Sequence, residues 1–152
     1  MRDKMTARTV IISGATSGLG LATAQALLER GEEVVILGPD EPQIRAARAS
    51  LGIRTGTEPT GYACDLRSMA GVEALASRLL AAHPRVDVLI NNAGVLMQRP
   101  QTTAEGREST WAVNYLATWL LSVRLLPGLR AAPRGRIVNL CSSSHRIGRL
   151  RL

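Results

Sequence analysis

The chain has 152 residues, 45% of them apolar, with a formal net charge of +7. That length and apolar content exclude a disordered chain and suit one domain with its own core. Of its 19 basic residues 18 are arginines, but they are scattered without runs or interleaved aromatics, so nucleic-acid binding is not expected.

No apolar run approaches the length that spans a bilayer, and MRDKMTAR leads into no signal-type apolar region. A membrane partner is therefore not expected, and the default setting is reducing and cytoplasmic. The two cysteines, Cys64 and Cys141, show no metal-ligand spacing. They read as small buried apolar residues at strand ends, and no metal site is expected.

In chain order, Thr9–Ser13 (TVIIS) predicts a buried strand. Leu21–Arg30 predicts a helix, with Leu21, Ala24, Leu27 and Leu28 on one face and Gly31 as its stop. Val34–Leu37 is the second strand. Asp40 reads as the N-cap of a helix with Pro42 in its first turn, running to about Ala49. Leu51–Thr60, rich in Gly and Thr, reads as loop, and Gly61–Cys64 as the third strand. Ser68 caps a helix that ends at His83-Pro84. Val86–Ile90 is the fourth strand.

The spacing Thr102-x-x-Glu105 predicts a capping box opening a long helix through Trp111, Tyr115 and Trp119 to about Leu126, closed by Pro127 and Gly128. Arg136–Leu140 is the fifth strand. Five strands alternating with helices predict an α/β fold, a Rossmann-type doubly wound parallel sheet, read as a single domain over residues 1–152.

The chemistry-bearing segment is SGATSGLG, Ser13–Gly20. Glycine allows a tight turn and close approach of backbone to a pyrophosphate. The following helix offers free N–H groups and the positive end of its dipole. Ser13, Thr16 and Ser17 add hydroxyls. Ser13, Gly14, Thr16, Ser17, Gly18, Leu19 and Gly20 are thus candidate cofactor contacts.

This segment is similar to the TGxxxGxG motif of the short-chain dehydrogenases/reductases, with Ser13 where Thr is usual. Asn91–Gly94 (NNAG) resembles that family's second signature. Cys64-Asp65-Leu66 resembles its adenine-side segment, Asn114 in VNYL its active-site Asn, and Gly135–Ser142 (GRIVNLCS) the strand leading to its catalytic Ser. The wording of WAVNYLATWLL and NLCSSSHRIGRL is most similar to the retinol-dehydrogenase-like branch. The resemblance implies an NAD(P)-dependent oxidoreductase that moves hydride between nicotinamide and a small alcohol or carbonyl substrate.

It further implies roles by residue. Asp65 would accept from the adenine amino group, with Leu66 beside it; the plainer reading is a helix-side cap. Asn91, Ala93 and Gly94 would admit the adenosine ribose, or merely end a strand. Asn114 would hold a water through its backbone, or be a satisfied core amide. Ser142 would hydrogen-bond the substrate oxygen, with Ser143 and Ser144 as competing registers, or belong to an ordinary strand-end turn. His145 reads as loop.

The choice between NAD and NADP stays open. Asp40 lies 20 residues past Gly20, where an acid often holds a ribose hydroxyl. Gly38 and Pro39, however, occupy the position where the family usually discriminates, and Arg45 or Arg48 would be the alternative contacts to a 2′-phosphate.

The family's proton relay uses a Tyr-x-x-x-Lys pair, in which Lys lowers the Tyr pKa. This sequence has only Tyr62 and Tyr115 as tyrosines and only Lys4 as lysine, so the pair is absent. The expectation is an amino-terminal portion, inactive alone, whose fifth strand is a bare hydrophobic edge. The alternative is a non-catalytic dinucleotide-binding module, or half of a split enzyme that meets a complementing carboxyl-terminal chain or assembles with its own copies.

Overall fold

The computed structural model describes residues 7–146, with the side chains of Ser144 and His145 outside that description. Lys4 and the end of NLCSSSHRIGRL from Ile147 onward therefore lie outside the described residues.

Strand β1 (Thr9–Ser13) is buried along its whole length. Helix α1 (Gly18–Leu28) starts three residues before the predicted Leu21. Its first turn is taken from the glycine-rich segment, where apolar periodicity has not yet begun. β2 (Glu33–Gly38) follows.

Helix α2 (Glu41–Thr55) is capped as expected, the Asp40 carboxylate accepting from the Gln43 N–H at 2.8 Å. It runs past the predicted end, so the first half of the expected Leu51–Thr60 loop, residues 51–55, is helix. Leu51 is fully buried in the core, and Gly56 ends the helix in the left-handed region at φ 73°. A Gly/Thr-rich composition concealed a helix whose last turn is anchored by one leucine.

β3 (Thr60–Ala63) leads to α3 (Met69–Ala82), whose Ser68 hydroxyl accepts from the Gly71 N–H at 3.1 Å. β4 (Val88–Asn91) comes next.

The capping box does not form. Gly106 has φ 76° and interrupts the turn that the motif needs. Thr102 instead bridges to Glu108, and the Glu105 carboxylate reaches back to accept from the Met69 N–H at 2.8 Å, capping α3 from outside. The true cap of α4 (Ser109–Trp111) is Glu108, which accepts from the Thr110 and Trp111 N–H groups at 2.9 and 2.7 Å.

The long helix is real but interrupted: a π-helical segment, Ala112–Ala117, joins α4 to α5 (Thr118–Arg124). Pro127 does not stop the chain. It sits in the first turn of α6 (Leu126–Ala131), where its missing N–H has no intrahelical partner to lose. β5 (Arg136–Asn139) and a 3₁₀ turn, Ser143–Arg146, complete the described chain.

The five strands are all parallel, in the order β3-β2-β1-β4-β5. Side-chain alternation sends Val10, Ile12, Val34 and Ile36 to one face, under α1 and α2. Ile11, Val35, Leu37 and Leu89 go to the other, under α3, α5 and α6. This is the doubly wound α/β arrangement. β5 is exposed along its length, with Ile137, Val138 and Leu140 each about 40% accessible. Trp111, Tyr115, Trp119 and Val123, four residues apart, form an exposed stripe on the neighbouring helix. No helix among the described residues is long and apolar enough to cross a membrane.

Candidate dinucleotide site

Because every strand runs the same way, the segments after β1, β2, β3 and β4 meet at the carboxyl edge of the sheet. Strand order reverses between β1 and β4, and a crevice opens where it does. There lies a cavity of about 750 Å³.

The glycine-rich turn forms its floor. Gly14, Thr16, Ser17, Gly18, Leu19 and Gly20 all line it. Gly18 adopts φ 53° and has no heavy atom within 4 Å of where a Cβ would stand. That is open space at the mouth of a helix. Ser17, the N-cap residue of α1, makes no side-chain cap, so the helix's first N–H groups are left for an anion. Gly20 is the opposite case. A Cβ there would stand 2.3 Å from the Gly14 carbonyl and 2.4 Å from Asn92 Nδ2, and no side chain fits. Open glycine backbone and an uncapped helix suit a pyrophosphate.

Ser13 does not line the cavity. Buried at 3% exposure, its hydroxyl accepts from the Asn92 and Ala93 N–H groups, both at 3.1 Å. Asn92 returns the tie, its Nδ2 donating to the carbonyls of Ser13 and Gly14 at 2.9 and 3.1 Å. The turn after β1 and the segment after β4 are thus one hydrogen-bonded unit. Sequence reading passed over Asn92, the residue of NNAG that makes this unit.

Ala93 and Gly94 line the cavity, and Asn91 does not. Asn91 is buried behind it, donating to Ser122 Oγ at 2.9 Å and Asn139 Oδ1 at 2.8 Å. Its own Oδ1 has no partner among the described residues. Its position is that of a brace between β4, β5 and α5.

On the β3 side, Asp65 and Leu66 line the cavity with Cys64 and Arg67. Both Asp65 oxygens face Arg67: Oδ1 accepts from its N–H and Nε at 3.0 Å, and Oδ2 from Nη2 at 2.8 Å. This pairing holds the Asp65 carboxyl below its usual range. Cys64 is half-buried, and burial beside the Asp65 charge pushes its thiol up to about 11. Cys141 is exposed. Neither cysteine is the fully buried residue that the sequence suggests, because β3 is short and β5 has no strand on its outer side among the described residues.

Asn114 lies in the π-helical segment and outside the cavity lining. Its Oδ1 accepts from the Val95 N–H and its Nδ2 donates to the Val95 carbonyl, both at 2.8 Å. It is an exposed residue, not a core amide, and it pins the irregular segment following Gly94 to the helix. Such π segments recur at functional sites. Ser142 lies three residues past β5, is exposed, and does not line the cavity. Among the described residues no group of three or more His, Cys, Asp and Glu gathers as a metal site.

The sequence pattern of the family described as short chain dehydrogenase matches residues 8–151. Human retinol dehydrogenase 13 is 35% identical over 144 residues, which is 94% of this chain and 44% of that protein. A metagenomic short-chain oxidoreductase solved with NADP superposes with a TM-score of 0.76 at 36% identity, covering 89% of this chain and 62% of that one. A short-chain dehydrogenase from Sphingobium yanoikuyae, solved with NADPH, gives 0.76 at 32% identity, covering 90% and 54%. The chain spans about half the length of the curated relatives it matches. With both the sequence pattern and the sheet order in agreement, this chain belongs to the short-chain dehydrogenase family.

Proposed function

We propose that the chain is the nucleotide-binding part of an NAD(P)-dependent oxidoreductase, and that it holds the dinucleotide in the cavity at the carboxyl edge of its sheet. The observation that carries this reading is the open, uncapped amino end of α1 lining a cavity that also receives the segments after β2, β3 and β4.

In this reading Gly14, Thr16, Ser17, Gly18, Leu19 and Gly20 take the pyrophosphate, with backbone N–H groups donating to its oxygens. Asp65, with Leu66 beside it, accepts from the adenine amino group, in competition with the Arg67 donors that hold both its oxygens. Ala93 and Gly94 admit the ribose. Ser13 and Asn91 act from behind, by holding the lining in place. When bound, the nicotinamide supplies hydride transfer to or from a carbonyl or alcohol carbon.

Ser142 would donate to the substrate oxygen and stabilise its developing charge. Asn114 would keep the π-helical segment and the segment at Val95 together. The proton relay needs a phenol and a lysine that these 152 residues do not pair. The reading therefore gives these 152 residues binding, and turnover would need a Tyr-x-x-x-Lys pair that they do not contain.

Isothermal titration of the purified 152-residue chain with NADH and with NADPH tests the binding. The expected result is one dinucleotide per chain with at least one of the two. A folded sample, judged by far-ultraviolet circular dichroism, that gives saturable binding with neither would contradict the proposal.

A further inference from the structure

β3 lies at the edge of the sheet, so the turn after it, which carries Asp65 and Leu66, has sheet support on one side only. The turn is tied at its start by the Cys64 N–H, which donates to the Gly38 carbonyl at 2.8 Å. Within the turn the Ser68 N–H donates to the Asp65 carbonyl at 3.0 Å. Its far end is the start of α3, where the first N–H groups have no intrahelical partner. The Ser68 hydroxyl accepts from Gly71 at 3.1 Å. The N–H groups of Met69 and Ala70 go to one oxygen from a distant segment, Glu105 Oε1, at 2.8 and 3.4 Å. The Ser68 hydroxyl donates to that oxygen too, at 3.4 Å.

Glu105 belongs to neither core cluster and does not line the main cavity. A small hairpin places it. Thr102 and Glu108 form an antiparallel bridge. The Thr103 N–H donates to the Arg107 carbonyl at 2.7 Å, and the Ser109 N–H to the Gln101 carbonyl at 2.8 Å. Left-handed Gly106 turns the chain, with Glu105 beside it at the tip. At the hairpin's base Glu108 caps α4. The π-helical segment that follows carries Asn114, bound both ways to Val95, and Val95 lines the cavity as Asp65 does.

The hairpin thus links two walls of the cavity, the turn after β3 and the segment after β4. A smaller hollow of about 260 Å³ lies between the hairpin and that turn, with Asp65, Arg67 and Ser68 on one side and residues 102–105 on the other. Asp65 and Arg67 belong to both hollows.

We infer that Glu105 is a positioning residue for the adenine end of the site: by accepting the first N–H groups of α3 it fixes the turn that presents Asp65 to the adenine amino group. This rests on the binding reading above. A hydrogen bond weakens steeply as its distance and angle depart from the optimum. Arg67 sits on the same turn as Asp65 and moves with it, so a turn that shifts keeps the Asp65–Arg67 pair. The adenine is held in place through the pyrophosphate and does not follow.

The test is titration of the wild-type chain, Glu105→Ala and Glu105→Gln with whichever of NADH and NADPH binds tighter. Each is also titrated with the hypoxanthine analogue of that dinucleotide, in which an oxygen replaces the adenine amino group. The ratio of the two affinities isolates the contact to Asp65, whereas a loss of stability alone lowers both alike. The wild type is expected to bind the adenine dinucleotide at least about fivefold tighter than its analogue. That ratio is expected to fall to about twofold or less in Glu105→Ala and to persist in Glu105→Gln, which keeps an acceptor oxygen. In the ligand-free chain, hydrogen exchange at residues 65–71 should quicken in Glu105→Ala while residues 14 and 16–20 keep their rates. Glu105→Asp, which keeps the carboxyl but shortens the reach, carries the same expectations as the alanine variant should the latter not fold.

An unchanged ratio in Glu105→Ala, or a glutamine variant that loses as much as alanine, would overturn the inference and leave the binding reading standing. So would exchange that quickens equally in the glycine-rich turn. A wild type that binds both ligands alike would overturn the Asp65 assignment and this inference, but not the pyrophosphate contacts. A wild type that binds neither would overturn the binding reading as well.

Discussion

Ser13→Ala removes one hydroxyl and leaves two backbone donors without their acceptor. The Ser13 oxygen is buried and accepts the Asn92 and Ala93 N–H groups at 3.1 Å each. An unpaired buried donor costs about 1–3 kcal/mol. Both amides border the cavity, where water reaches them, so the low end applies to each and the sum is about 2 kcal/mol. For a domain of this size, about 2–4 °C of melting temperature follows each kcal/mol, giving a drop of about 4–8 °C. Urea unfolding followed by circular dichroism would show a lower midpoint at an unchanged slope. Ser13→Thr, which keeps the acceptor, is expected to stay near wild type. A loss below about 0.5 kcal/mol in Ser13→Ala, the usual range for a surface change, would refute the claim that Ser13 ties the turn after β1 to the segment after β4.

Two further outcomes follow from the same geometry. Gly20→Ala is expected to lose dinucleotide binding and about 1–3 kcal/mol of stability, because its Cβ would overlap the Gly14 carbonyl and Asn92 Nδ2; a variant with wild-type stability and binding would show that the turn has slack. The cysteines should react with a thiol reagent at very different rates. The Cys64 thiol, pushed up to about 11, is thiolate in only about one molecule in a thousand at pH 8, whereas Cys141 is exposed. One fast and one much slower phase are expected, the slow phase slowing again with dinucleotide present, since Cys64 lines the cavity; two equal phases, indifferent to dinucleotide, would contradict this. The sign for stability is that of a raised acid: the neutral thiol favours the folded state at neutral pH, and that contribution is lost as pH rises from the ordinary thiol range toward 11.

Much of this fold was legible because its strands are buried on both faces. TVIIS and VVIL are continuous apolar runs, and such runs read the same whatever packs on them. The glycine-rich turn was legible because its steric demands leave few alternatives to glycine. What the sequence concealed depends on contacts between distant segments. Glu105 has the spacing of a cap for its own helix, yet it caps α3, more than thirty residues back in the chain. Nothing local distinguishes those two partners except the left-handed Gly106. Asn91 and Asn92 are adjacent and identical in type, and only the pleat decides which braces β5 and which grips the glycine-rich turn. Pro127 reads as a stop, but the same proline begins a helix when Leu125 closes the previous one. The network of Thr16, Gln43 and Asp40 joins two segments 27 residues apart, and nothing local to either segment announces it.

Hydrogen exchange of the 152-residue chain, with and without saturating dinucleotide, tests the central claim most directly, because it reports where the ligand binds as well as whether it binds. The predicted result is slower exchange at the amides of residues 14, 16–20, 64–67 and 92–95, which line the cavity, with β5 and the exposed stripe from Trp111 to Val123 unchanged. Protection absent from the glycine-rich turn, or confined to β5 and that stripe, would contradict the account.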